Sequence, residues 1–136
     1  YINSRTEGFG EEVKRRIMLG TFVLSAGYHD AYYKKAQQVR RLVQNKTNEI
    51  LEKYDFILSP TTPHTAFDLG KKQTDPTVMY LEDIFTVQAN ITGHPSISLP
   101  LYKHSRGMPF GLQILSQKFT EKKLLSFSEE IMKNLL

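Results

Sequence analysis

Apolar and small positions recur at Val13, Ile17, Thr21 and Leu24 between Gly10 and Gly27, a spacing that predicts a helix. Met18, Leu19, Phe22 and Val23 widen the stripe almost all round. Such a helix should begin charged and end deeply buried. Gly27 is a natural stop. Asp30 is placed to cap a second helix running to about Lys53. Tyr32, Ala36, Val39, Val43 and Ile50 share its apolar face, with Lys34, Lys35, Gln38, Arg41 and Asn45 opposite. A helix of about twenty-three residues would span roughly 35 Å.

The patterning changes after Tyr54. Phe56-Ile57-Leu58-Ser59 reads as a buried strand running into a Pro60-Thr61-Thr62-Pro63 loop. His64 to Thr77 is polar, holds Gly70, Lys71-Lys72 and Pro76, and predicts a long surface loop. Leu81 to about Ile91 predicts a third helix with Ile84, Val87 and Ile91 as its stripe, stopped at Gly93-His94-Pro95. Ser96 to Pro100 and Phe110 to Leu115 read as paired strands joined through a turn at Ser105-Arg106-Gly107. Thr120 is placed to cap a last helix with Leu124, Ser128, Ile131 and Leu135 on one face. The order α, α, β, α, β, β, α predicts an α/β fold, a sheet with helices packed on it. Three strands leave two unpaired edges and a face that is hard to cover, so the chain should be part of something larger or dock on a partner.

Composition narrows the classes. The 136 residues are 40% hydrophobic and 24% charged, which excludes a disordered or fibrous chain. No cysteine is present, which excludes disulfides, thiolate metal sites and a cysteine nucleophile. The longest nearly uncharged run, Ile17 to Gly27, is too short to span a bilayer, so no membrane association is expected. The chain opens Tyr1-Ile2-Asn3 with no Met and no signal-peptide pattern, which suggests a trimmed or fragmentary start. The expected location is cytoplasmic, or organellar in a eukaryote. The net charge of +4 permits an anionic partner without requiring one. Asn45-Lys46-Thr47 and Asn90-Ile91-Thr92 read as chance glycosylation patterns in this context.

The chemistry is sparse. His29, His64, His94 and His104 have no helical metal-site spacing, and there is no phosphate loop and no Gly-x-Ser-x-Gly elbow. The adjacent pairs Glu11-Glu12, Glu82-Asp83 and Glu129-Glu130 point about 100° apart on a helix, so spacing makes none of them a catalytic dyad. Lys34 to Lys46 carries five positive charges and no negative one. This is either a solvated helix face or an RNA- or partner-binding surface. Arg15 and Arg16 lie where the first helix turns apolar, and Asp83 lies just after the long loop. Charges at such borders are usually paired or face a ligand. A guanidinium suits a carboxylate and an aspartate suits an ammonium, so the pair would suit a free amino acid. An internal salt bridge is the plainer reading.

The run Ser4-Arg5-Thr6-Glu7-Gly8-Phe9-Gly10-Glu11-Glu12-Val13-Lys14-Arg15-Arg16-Ile17-Met18-Leu19-Gly20-Thr21 resembles a segment of the A subunits of glutamyl-tRNA(Gln) amidotransferases, members of the amidase-signature family. The resemblance continues through Ala26 to Gln37, Ser59-Pro60-Thr61-Thr62-Pro63, Met79-Tyr80-Leu81-Glu82-Asp83-Ile84-Phe85-Thr86-Val87, Ser98-Leu99-Pro100 and Pro109-Phe110-Gly111-Leu112-Gln113. It covers essentially the whole chain in order. The Glu12 to Gly20 run is specific to these subunits, whereas the last stretch is shared with amidase-signature enzymes generally. Gln88 stands where the family often has Pro, and His94 where an aliphatic residue is common.

The resemblance implies that residues 1–136 are the C-terminal portion of one amidase-signature domain, an α/β/α sandwich with a mixed sheet. The family's catalytic serines and lysine would lie upstream, so no catalytic residue is assigned and the chain alone should be inactive. It implies glutamine hydrolysis through an acyl-enzyme, with ammonia passed on to convert Glu-tRNA(Gln) to Gln-tRNA(Gln). The partners would be the B and C subunits. The complex would use ATP and magnesium, and this chain no cofactor of its own. Arg16 and Asp83 match the family's substrate-binding arginine and aspartate. Another amidase-signature amide hydrolase remains the alternative within the enzymes.

Overall fold

The computed structural model describes residues 1–70 and 76–135. The Lys71-Lys72 pair lies outside them. The chain forms two compact units, Tyr1–Leu42 and Val43–Leu136.

The first unit holds α1 (Ile2–Glu7), α2 (Glu11–Val23), a π-helical turn (His29–Tyr33) and the start of α3 (Lys34–Leu51). The expectation that the first long helix ends deeply buried is wrong. No residue of α2 is buried, and Met18 and Phe22 are 73% and 49% exposed. A unit this small has too little surface of its own to close over a helix apolar on most sides. Phe22 does find the Tyr28 ring, with centroids 4.2 Å apart. Asp30 does not cap the second helix. It sits inside the π-helical turn, where its carboxylate takes Lys34 Nζ at 2.8 Å and His29 Nδ1 at 3.2 Å. Those partners, Lys34 first, hold its carboxyl below the usual range.

The second unit is built on a sheet of β1 (Phe56–Pro60), β2 (Ser96–Lys103) and β3 (Pro109–Ser116) in the order β1-β3-β2, both pairings antiparallel. Its helices are the end of α3, then α4 (Pro76–Leu81), α5 (Ile84–Thr92) and α6 (Glu121–Leu135). Successive residues of a strand point to opposite faces. Leu115 and Ile57 therefore pack with Leu51 of α3 and Ala89 of α5. Ile114, Leu112, Leu99 and Ile97 pack on the other side with Leu124, Phe127 and Ile131 of α6. Phe56 stacks on Phe127 at 4.3 Å. Helices thus pack on both faces of the sheet.

Polar side chains tie these layers together. Gln44 Nε2 donates to the Thr92 carbonyl at 2.7 Å, and Gln113 Nε2 to the Phe85 carbonyl at 3.0 Å. Gly93 ends α5 in the left-handed region at φ 72°. The apolar stripe expected on the third helix does not pack inward: Ile84, Val87 and Ile91 line an open groove of about 710 Å³ with Val43 and Leu81.

Three local expectations are corrected. Pro60 ends β1 instead of opening the loop, and pairs with Leu112. The third helix starts earlier, at Pro76, and is broken at Glu82-Asp83 into α4 and α5. Aspartate competes poorly in a helix interior, so the break falls there. The Thr120 hydroxyl donates back to the Gln117 carbonyl at 2.5 Å, and only the Thr120 carbonyl opens α6, accepting from Leu124 N at 3.0 Å.

Candidate functional site

Arg16 lies in the first unit, on α2. Its Nε donates to Glu12 Oε1 at 3.0 Å, while Arg15 Nη1 donates to Glu12 Oε2 at 2.8 Å. One carboxylate thus holds two guanidiniums, from positions three and four residues further along the helix. The sequence reading weighed Glu12 only as half of the Glu11-Glu12 pair, although its helical spacing to Arg15 and Arg16 is a readable signal. Both arginine side chains are more than half exposed. The first helix does bring cations to a solvent-facing surface, but not to the edge of a core.

Asp83 lies in the second unit, at the N-cap of α5, with φ −93° and ψ 1°. A capping aspartate normally has extended backbone and bonds its side chain to a helix N–H. Asp83 has neither feature: its side chain makes no capping hydrogen bond. Its backbone does the work instead. The Asp83 carbonyl accepts from Val87 N at 2.9 Å and from Thr86 Oγ1 at 3.1 Å, and its N–H donates to the Tyr80 carbonyl at 3.3 Å. The carboxylate is exposed and is not consumed by starting the helix.

Beside Asp83, Glu82 is engaged by a distant loop. Its Oε1 meets His64 Nδ1 at 3.0 Å, and its side chain is 24% exposed. His64 belongs to the loop after β1, which lines an open cavity of about 360 Å³ with Thr65, His104, Arg106 and Phe110. Thr61 N donates to the Gly111 carbonyl at 3.1 Å, the Thr61 and Ser98 hydroxyls lie 2.7 Å apart, and Arg106 Nη2 donates to Thr65 Oγ1 at 3.1 Å. Sequence separation hid these partners: His64 and Glu82 are 18 positions apart, and Arg106 and Thr65 are 41.

The basic stretch of α3 is partly neutralised. Lys34 pairs with Asp30 at 2.8 Å and Lys46 with Glu49 at 2.7 Å. His94 is buried at 6% exposure, and neither ring nitrogen has a hydrogen-bond partner among the described residues. Burial first, then the nearby Lys118 charge, pushes its pKa down. Among the described residues no three His, Asp or Glu side chains gather as metal ligands, and no helix is long and apolar enough to cross a membrane.

Comparison with known proteins gives this geometry a context. The Amidase family model matches residues 1–125. The A subunit of the glutamyl-tRNA(Gln) amidotransferase from Chlorobium limicola is 55% identical over 131 residues, 96% of this chain and 28% of that protein. The crystal structure of the corresponding A subunit from Thermotoga maritima superposes with a TM-score of 0.74 at 46% identity, covering 97% of this chain and 29% of that one. A crystal structure described only as an amidase superposes with a TM-score of 0.78 at 23% identity over 99% of this chain and 31% of its own, a likeness of fold. The chain therefore spans under a third of the length of these relatives. With the α/β architecture, the two-sided sheet and the family match over most of its residues, the chain belongs to the amidase family.

Proposed function

We propose that this chain is the C-terminal portion of the glutamine-hydrolysing A subunit of a glutamyl-tRNA(Gln) amidotransferase, and that it supplies groups that hold free glutamine. The observation that carries this reading is the 55% identity to the Chlorobium limicola protein across nearly the whole chain. Arg16 takes the α-carboxylate, for which a guanidinium fork is the matched donor. Asp83 takes the α-ammonium, and its carboxylate, not engaged in capping, suits that role.

Holding both ends of the amino acid orients the side-chain amide toward a nucleophile, which converts an encounter into a positioned reaction. The nucleophile, a serine activated through a second serine and a lysine, belongs to the upstream part of the enzyme. It forms an acyl-enzyme, releases ammonia and is freed by water. The ammonia passes to the B subunit, held with the C subunit in the complex, where Glu-tRNA(Gln) is amidated with ATP and magnesium. No residue of this chain is assigned to the magnesium. The isolated 136 residues turn over no glutamine, and the complex works in the cytoplasm or in an organelle.

The test is glutaminase kinetics of the complete protein. Arg16→Ala and Asp83→Ala should each raise the glutamine KM strongly while the fold survives. Wild-type kinetics in both would sink the assignment. A hydrolase of simple neutral amides would not need this pair, so unchanged turnover of a neutral amide beside lost glutamine turnover separates the two readings.

A further inference from the structure

We propose that His64 is a positioning residue: through Glu82 it fixes the junction between α4 and α5, and with it the direction of the Asp83 carboxylate. This rests on the reading of Asp83 as the ammonium ligand. The need for such a brace follows from the junction itself. Asp83 sits at a helix start whose side chain does no capping, so the usual bond that fixes an N-cap carboxylate is missing. What remains is backbone, plus the next residue upstream. Glu82 is that residue, and its mostly buried carboxylate reaches His64 Nδ1 at 3.0 Å.

His64 can act as an anchor because its own loop is tied down on both sides. Before it, Thr61 N bonds the Gly111 carbonyl of β3, and the Thr61 hydroxyl meets Ser98 of β2. At His64 the Thr62 hydroxyl donates to the carbonyl at 2.8 Å. After it, Thr65 receives Arg106 from the β2–β3 turn. Pro60 and Pro63 restrict the intervening backbone. The chain of contacts runs from the three-stranded sheet, through the loop, to the residue beside Asp83. With the His64 side chain 71% exposed, the contact adds little to stability. Its value here is directional.

Among the described residues, few charged groups surround the pair. Glu82 faces His64 from the α4–α5 junction, Arg106 and His104 line the same cavity from the β2–β3 turn, and Asp83 adjoins Glu82. Arg106 is engaged with Thr65, and His104 Nδ1 accepts from Arg106 N at 3.4 Å.

The experiment is glutaminase kinetics of the complete protein in its complex, with Asp83→Asn as the reference. His64→Ala should raise the glutamine KM about five-fold, the loss of one hydrogen bond of ordinary net strength, with kcat at saturating glutamine unchanged. His64→Asn, whose amide nitrogen replaces Nδ1, should restore the KM. Adding Glu82→Leu to His64→Ala should raise it no further. If Asp83→Asn raises KM and His64→Ala does not, the brace is overturned and the glutamine reading stands. If Asp83→Asn leaves KM unchanged, the glutamine reading itself fails. Should His64→Ala not assemble, Glu82→Leu alone decides by the same KM criterion.

Discussion

Arg16 donates its Nε to Glu12 Oε1 at 3.0 Å, one turn back along α2, while the other oxygen of Glu12 takes Arg15. Engaging Nε fixes the roll of the Arg16 guanidinium, and so the direction of its two terminal nitrogens. The arrangement is therefore about orientation. Pairs this exposed contribute about 0.5 kcal/mol or less to stability.

Glu12→Ala should accordingly raise the glutamine KM of the complete protein by about three-fold, the size of a half-exposed helical ion pair plus lost orientation. Its melting temperature should move by no more than about 1 °C. Kinetics and a thermal melt on the same preparation check both. A large fall in melting temperature with an unchanged KM would mean that Glu12 serves only the fold.

Arg15 and Arg16 share one partner, yet only Arg16 is assigned to substrate. Arg15→Ala should leave the KM within about two-fold of wild type, whereas Arg16→Ala should raise it more than about ten-fold, the order expected for a charged hydrogen bond lost. The reverse ranking would transfer the role to Arg15.

Gly111 is where the β1 loop touches the sheet. A Cβ there would stand 2.8 Å from Thr61 Oγ1, 3.0 Å from Ser98 Oγ and 3.2 Å from the Leu99 carbonyl. Gly111→Ala should destabilise by about 1–3 kcal/mol, since the backbone oxygen cannot yield easily. Denaturant unfolding reads it, and a neutral result would show that the loop shifts freely.

His94 sets a pH dependence. Burial first, and the Lys118 charge second, lower its folded-state pKa. Above the ordinary value of about 6.5 the ring is neutral in both states and its environment costs no proton. As pH falls below that value the unfolded chain takes a proton that the folded ring resists, so stability is lost towards acid. His94→Leu should flatten this loss and raise stability by about 1 kcal/mol at pH 7, because two unpartnered ring nitrogens leave the interior. Melts on either side of that ordinary value, for both proteins, test it. Parallel pH profiles would reject it.

Ile114 is fully buried between β3 and α6. Ile114→Ala should cost about 3 kcal/mol, the middle of the range for such core truncations. A cost under about 1 kcal/mol would mean that the α6 face of the sheet repacks.

Periodicity along the chain determined the class and most of the elements, but not α1, the π-helical turn or the break between α4 and α5. The alternation in Phe110 to Leu115, the turn at Ser105-Arg106-Gly107 and the stop at Gly93 depend on local sterics and on which positions are apolar, and all three stand in the structure. The run from Glu12 to Gly20 and the Asp83 segment carried the family resemblance in residue identity alone. Other features needed the fold. That α3 and α5 cover one face of the sheet and α6 the other depends on how distant segments pack, which no local pattern encodes. The exposure of Met18 and Phe22 depends on what lies against α2, not on the stripe itself. The His64–Glu82 contact arises because the β1 loop, held by Gly111 and Ser98, is carried beside a helix start far along the chain. The family resemblance carried by the sequence pointed to Arg16 and Asp83 as substrate ligands. Tertiary structure decided what surrounds Asp83, because the loop and strands that reach its neighbourhood meet only once the chain has folded.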